Sequence, residues 1–317
     1  HDRGTRGDGG SEAGAPDAAT SRSGADAAPP VRLRFAVAPG VELAADGFGD
    51  PSAQPVVLLH GGGQTRHAWS GTGRALAAAG WYGVAVDLRG HGDSSWAPGG
   101  EYTPPSFAGD VLELARQLGA PPVLVGASLG GLASLQAIDL APPDFARGLV
   151  LVDIATRFEP KGVERIHAFM TSRPDGFASL EEAADAVAAY HQHRERPSDV
   201  SGLAKNLRQG EDGRWRWHWD PRFLEADQIG RVTDSQDESP LDGMARRLRL
   251  PTLLVRGRVS DLLSHDGADH FLSLAPHAAF VDIHEAGHMV AGDRNDAFTS
   301  AVIDFLRDAQ LGPRRSA

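Results

Sequence analysis

Short apolar runs recur along the chain, separated by longer stretches of mixed polarity. From Val31 to Val37 apolar and polar positions alternate, the two-residue period of a strand with one wet face. Val41 to Ala45 follows a Pro39-Gly40 turn and reads as its hairpin partner. The later runs are apolar almost throughout: Pro55 to His60, Tyr82 to Asp87, Val123 to Ala127, Gly148 to Ile154, Pro251 to Gly257 and Ala279 to Ile283. That pattern predicts strands covered on both faces. Helices are predicted between them, at Trp69 to Ala79, Phe107 to Leu118, Leu129 to Leu140, Asp269 to Leu274 and Val290 to Asp308. Strands and helices in alternation predict an α/β fold with a mostly parallel central sheet and helices on both sides.

The rhythm breaks twice. Residues 1–30 are Gly, Ala, Ser, Asp, Arg and Pro without apolar periodicity, and are expected to form a disordered tail. From 155 to 240 no strong strand pattern occurs; helical segments recur, clearest at Val163 to Met170 and Leu180 to His191. This block reads as a helical lid inserted over the carboxyl ends of the strands, where open α/β sheets bind ligands. The division expected is therefore a tail at 1–30, a core at 31–154 and 241–317, and a lid at 155–240.

Composition narrows the partners. A net charge of −11, from 31 basic and 42 acidic residues, argues against nucleic acid or an anionic membrane. The 317 residues include no cysteine, which excludes disulfides, thiolate metal sites and a cysteine nucleophile. No apolar stretch approaches the ~20 residues of a membrane span, and no signal peptide is visible, so the expectation is a cytoplasmic protein. The start at His1 rather than Met is compatible with a trimmed N-terminus. Nothing in the pattern specifies an oligomeric state.

The chemistry centres on Gly126-Ala127-Ser128-Leu129-Gly130, a Gly-x-Ser-x-Gly turn between an apolar strand and a small-residue helix. Such a turn exposes its serine at the strand's carboxyl end, over the positive end of the helix. Other stretches stand in a matching order: His60-Gly61-Gly62-Gly63, Asp87-Leu88-Arg89-Gly90-His91-Gly92, Ser260-Asp261 and Gly287-His288. Together these motifs resemble the α/β-hydrolase family, over nearly everything from residue 31 onward. The resemblance implies a Ser–acid–His triad with the acid after a late strand and the histidine after the last one.

Ser128 is then the nucleophile. His288, in a glycine-led loop after the final strand, is the base; His284 is expected to be structural or to face substrate. Asp261 is favoured as the acid, because the family places its acid there, and Asp153 is the alternative, at a position that some family members use. The oxyanion hole is assigned to the N–H groups of Gly62 and Leu129. Gln64 either touches substrate or braces the glycine loop. His91 is read as loop architecture; His191, His193 and His218, in the lid, are read as surface or pocket-lining residues. No metal and no cofactor are expected. Trp215, Trp217 and Trp219 alternate and share one face; with Met170 they either line a substrate pocket or pack the lid on the body, and Phe177 is equally ambiguous.

The function expected is hydrolysis of a small-molecule carboxylic ester or lactone through an acyl-enzyme. Two alternatives stay open. One is carbon–carbon bond hydrolysis of a dienoate or β-diketone by the same triad. The other is a non-catalytic small-molecule receptor on the same fold.

Overall fold

The computed structural model describes residues 28–190, 199–225, 239–258, 260–283 and 295–312. Its main sheet has eight strands: β1 (Val31–Ala38), β2 (Val41–Phe48), β3 (Pro55–Leu59), β4 (Tyr82–Val86), β5 (Val123–Ala127), β6 (Gly148–Val152), β9 (Thr252–Gly257) and β10 (Ala279–Ile283), in the order β1-β2-β4-β3-β5-β6-β9-β10. β2 runs antiparallel to β1 and β4, and every other pairing is parallel. The remaining β7 and β8 belong to a separate hairpin described below.

The unbroken apolar strands are explained by two covered faces. On β3, Val57 and Leu59 turn toward Phe107 and Val111 of α2 (Pro104–Arg116) and Ala133 of α3 (Leu129–Leu140). Val56 and Leu58 turn the other way, toward Leu76 of α1 (Ser70–Ala78) and Phe298, Val302 and Leu306 of α9 (Asn295–Asp308). The two-residue period of a strand thus divides one apolar run between two cores. Helix ends follow local chemistry. α2 starts before the periodic region, because Thr103 caps it by accepting from the Ser106 N–H and Pro104 occupies the first turn. α8 (His265–Leu274) is capped in the same way by Ser264, whose Oγ accepts from the Gly267 N–H at 3.2 Å.

Between β6 and β9 the chain leaves the sheet. This insertion holds α4 (Pro160–Thr171), α5 (Leu180–Tyr190), β7 (Leu207–Gln209), β8 (Trp215–Trp217) and α6 (Arg222–Glu225); α7 (Pro240–Arg247) leads back to the core. Besides the expected helices, the block holds two short strands. β7 and β8 form an antiparallel hairpin, with Leu207 opposite Trp217 and Gln209 opposite Trp215. The tight turn at Gly213, whose φ is +75°, permits the reversal, and the alternating tryptophans suit a pleated surface.

The elbow is where strand, helix and neighbouring strand come closest. A Cβ on Gly126 would lie 2.4 Å from the Gly130 carbonyl carbon, and a Cβ on Gly130 would lie 2.5 Å from the Leu59 carbonyl oxygen. Both obstacles are backbone, so neither can rotate aside. Gly126→Ala is expected to cost about 1–3 kcal/mol from overpacking. An equilibrium urea titration checks it: the midpoint falls with the m-value unchanged.

Candidate active site

Ser128 sits between β5 and α3 with φ 46° and ψ −114°, a backbone conformation that L-residues rarely adopt. Its N–H donates to the Val152 carbonyl at 3.2 Å, and Ala127 pairs with Val152 in the sheet. The register therefore sets Ser128 beside Asp153, the next residue of the neighbouring strand. As the first residue of α3, Leu129 has an N–H with no carbonyl one turn back inside the helix. It is available to an anion beside Ser128.

The glycine loop lies against the same point. A Cβ on Gly61 would be 3.3 Å from the Ser128 Cβ. The Gly130 N–H donates to the His60 carbonyl at 3.2 Å, which ties the loop's base to the elbow helix. Most amides of the loop are spent internally. The Gly61 N–H donates to Gln64 Oε1 at 2.9 Å, the Gln64 N–H to the Gly61 carbonyl at 3.1 Å, and the Gly63 N–H to His91 Nε2 at 3.1 Å. The Gly62 N–H finds no acceptor among the described residues. Gln64 is thus bonded to Gly61 through both its side chain and its backbone.

A planar trans peptide points its C=O and N–H in opposite directions. Whatever holds the Gly61 oxygen therefore aims the Gly62 N–H. That oxygen accepts from His60 Nδ1–H at 2.7 Å as well as from Gln64. His60 Nε2 in turn accepts from the Leu88 N–H at 3.0 Å. His91 is fixed similarly, with Nδ1–H donating to the Arg89 carbonyl at 2.9 Å and Nε2 accepting from Gly63. His218 completes the group: Nδ1 accepts from the Gly92 N–H at 2.7 Å, and Nε2–H donates to the Gly63 carbonyl at 3.2 Å. Their rings are neighbours, with centroids 5.2 Å apart for His60 and His91 and 5.8 Å for His91 and His218. His218 is 1% exposed, so a surface position, one of the two expected for it, is corrected. Its bonds to the Gly92 N–H and the Gly63 carbonyl hold it inward.

Each of these rings serves as an acceptor to a backbone N–H, which only the neutral form can do. Burial pushes the His60 pKa down to about 4 and the His91 pKa to about 3, and holds His218 well below the usual value, with repulsion from the neighbouring histidines adding to the last two. Beside them Arg66 is enclosed by Asp87, Asp46 and Asp93, with Asp93 Oδ2 2.9 Å from Nη1. Burial works against the Arg66 cation, but these carboxylates outweigh it and raise its pKa. The Arg66 N–H donates to Asp87 Oδ1 at 2.6 Å, so this cluster anchors the chain just past the glycine loop. Sequence reasoning missed Arg66; the only signal was its position after the loop.

The two candidate acids differ sharply. Asp153 is fully buried at the carboxyl end of β6, with φ 52°. Its Oδ2 accepts from Ser260 Oγ at 2.5 Å and its Oδ1 from the Gly257 N–H at 3.3 Å. Asp261 has a side chain 38% exposed and an Oδ2 held by Arg165 of α4 at 2.9 Å. Ser260 was noted only as Asp261's neighbour, yet it is the residue that reaches Asp153. His288 and His284 lie outside the described residues, as do His191 and His193 and the tail up to residue 27.

The insertion's apolar side chains pack on the loop. A Cβ on Gly63 would meet Met170 Cε at 3.0 Å and Trp219 at 3.3 Å, and both side chains are buried. Trp217 and Trp219 stack at 5.1 Å with planes 12° apart. Phe177 is buried beneath Trp217, edge-on at 5.2 Å, and Trp215 packs on that same small cluster.

The α/β-hydrolase fold model matches residues 54–294, most of the chain. The chain belongs to the α/β-hydrolase fold family. An esterase of Mycobacterium tuberculosis is 32% identical over 268 residues, covering 80% of this chain and 83% of that one. A 3-hydroxybutyrate-oligomer hydrolase of Cupriavidus necator is 30% identical, covering 76% of this chain and 85% of its own. A crystal structure of the mycobacterial esterase superposes with a TM-score of 0.69 at 28% identity, over 90% of this chain and 94% of that one. The structure of E-2-(acetamidomethylene)succinate hydrolase gives a TM-score of 0.77 at 22% identity, over 88% and 99%, a likeness of fold. This α/β hydrolase is an enzyme of esterase-like kind. Among its described residues no helix is long and apolar enough to cross a membrane.

Three neutral histidines beside the loop make stability acid-sensitive. Their folded pKa values lie below the 6.5 of a free histidine, so below that pH the unfolded chain binds protons that the folded one refuses. Stability is full above about pH 6.5 and falls as the pH drops below that value toward pH 4, where the unfolded chain takes up protons that the three folded histidines refuse. Urea midpoints across that range check this; a flat profile contradicts it.

Proposed function

We propose that this α/β hydrolase cleaves a small carboxylic ester or lactone through an acyl-enzyme on Ser128. The observation that carries the reading is the Ser128 backbone, held at positive φ with the glycine loop against it at Gly61; in this reading the N–H groups of Gly62 and Leu129 form the oxyanion hole. Ser128 Oγ attacks the substrate carbonyl carbon while His288 takes its proton. The negative charge that develops on the carbonyl oxygen is met by the two amides. Collapse breaks the ester C–O bond, and the alcohol leaves with the proton from His288. A water, deprotonated by His288, then attacks the acyl carbon; the acid departs and Ser128 recovers its proton.

As the acid that orients His288, this reading takes Asp153 in preference to Asp261. Asp153 is buried and adjacent to Ser128 across the sheet, and Ser260 and Gly257 hold its carboxylate. Asp261 is half exposed and paired with Arg165. In this reading that pair fastens the lid, residues 155–240, to the loop after β9. Met170, Trp217 and Trp219 form the wall beside Gly63, and Trp215 lies farther along the hairpin. Relatives named esterase and 3-hydroxybutyrate-oligomer hydrolase support an oxygen ester over a carbon–carbon bond, and enzymatic relatives weigh against a receptor.

Turnover of a short-chain p-nitrophenyl ester tests this. Ser128→Ala is expected to lose at least about 10⁴-fold in kcat with the fold intact by circular dichroism. Asp153→Asn is expected to lose about 10³–10⁴-fold. Asp261→Asn, which breaks a solvent-screened pair, is expected to stay within about threefold. The reverse ranking of the two aspartates returns the acid's role to Asp261.

A further inference from the structure

We infer that His218 is a positioning residue through which the inserted hairpin sets the oxyanion loop. The inference rests on the acyl-enzyme reading of Ser128 and adds a role for the insertion that substrate binding alone does not require.

The hairpin meets the core at two catalytic-side loops and does so through polar groups. Asn206, just before β7, accepts from Thr65 Oγ1 at 3.1 Å through its side chain and from the His218 N–H at 3.2 Å through its carbonyl. Arg208 on β7 donates to the Gly92 carbonyl at 2.9 Å and to Asp93 Oδ1 at 2.8 Å. After β8, the Asp220 N–H donates to the Gly90 carbonyl at 2.9 Å. His218 lies between these contacts and is the one that touches both loops. It accepts from Gly92 and donates to the Gly63 carbonyl.

That last bond reaches the oxyanion donor in two steps. By holding the Gly63 oxygen, His218 turns the N–H of the same peptide, which belongs to Gln64, the opposite way. There the Gln64 N–H meets the Gly61 carbonyl at 3.1 Å. The Gly61 carbonyl shares its peptide with the Gly62 N–H, the amide left for substrate. His218 therefore aims Gly62 from outside the core, while His60 holds the same Gly61 oxygen from inside. Met170 and Trp219 lie against Gly63 where a Cβ would sit. Removing the His218 donor frees one of the two restraints on Gly61, and a partly misaimed donor costs rate without changing how the ground-state ester binds.

The test compares two substitutions that each keep half of the histidine. His218→Asn retains an acceptor near the Nδ1 position for Gly92 and has no donor at the reach of Nε2. His218→Gln retains a donor at that reach for the Gly63 carbonyl. Kinetics with p-nitrophenyl butyrate are measured beside inhibition by an aryl trifluoromethyl ketone, whose adduct with the serine carries an oxyanion, and melting temperatures are recorded for both variants. His218→Asn is expected to lower kcat about 10-fold or more with KM within about twofold, and to weaken the ketone by the same factor. His218→Gln is expected to recover most of both losses. Equal losses in the two variants, or a fall in kcat with the ketone's affinity unchanged, overturn the inference and leave His218 a structural link. A failure of the acyl-enzyme reading looks different: the wild-type protein itself neither turns over the ester nor binds the ketone.

Discussion

The structure depends on a close approach that only glycine allows. Ser128 keeps its positive φ because β5 can pass into α3 with Gly126 and Gly130 almost in backbone contact, and because Gly130 presses on the Leu59 carbonyl. That one constraint fixes several positions together. The end of β3 carries the glycine loop, the end of β5 carries Ser128, and the end of β6 carries Asp153, so three parallel strands stop side by side. The Ser128 N–H to Val152 bond closes the third contact. Strain at the serine is over-determined by packing on both of its sides, the condition under which such a backbone persists.

A second layer of control is electrostatic and surrounds the loop. His60, His91 and His218 are neutral, because each lends a lone pair to a backbone N–H and burial disfavours their cations. Arg66, a permanent positive charge nearby, is balanced by three carboxylates. Removing one carboxylate from that group leaves a buried cation short of its partners, which is more damaging than replacing the whole cluster by apolar groups. The loop is thus oriented by neutral hydrogen bonds and anchored by a compensated ion cluster.

Much of this was legible in the chain. Continuous apolar runs bounded by turns located the parallel strands, since burial on both faces leaves no other pattern. The elbow announced itself because its steric demand excludes every residue but glycine at Gly126 and Gly130. Less legible were features made by distant parts of the chain. The hairpin was hidden because its two strands are three residues each, too short for a period-two signal beside helical neighbours. His218 read as a surface or pocket-lining histidine because nothing local records its bonds to Gly92 and Gly63. The different surroundings of Asp153 and Asp261 come from Ser260 and Arg165, whose partners lie about 100 positions away in sequence. Spacing identifies a residue's element; its hydrogen-bond partner belongs to the tertiary fold.

The central claim is that Ser128 is the group that becomes acylated. Labelling the intact protein with a fluorophosphonate, followed by proteolysis and mass mapping, tests it most directly. The account predicts one phosphonyl group, on Ser128, with no other peptide carrying the added mass. A protein that hydrolyses esters yet carries the label on a different residue, or resists labelling altogether, contradicts it.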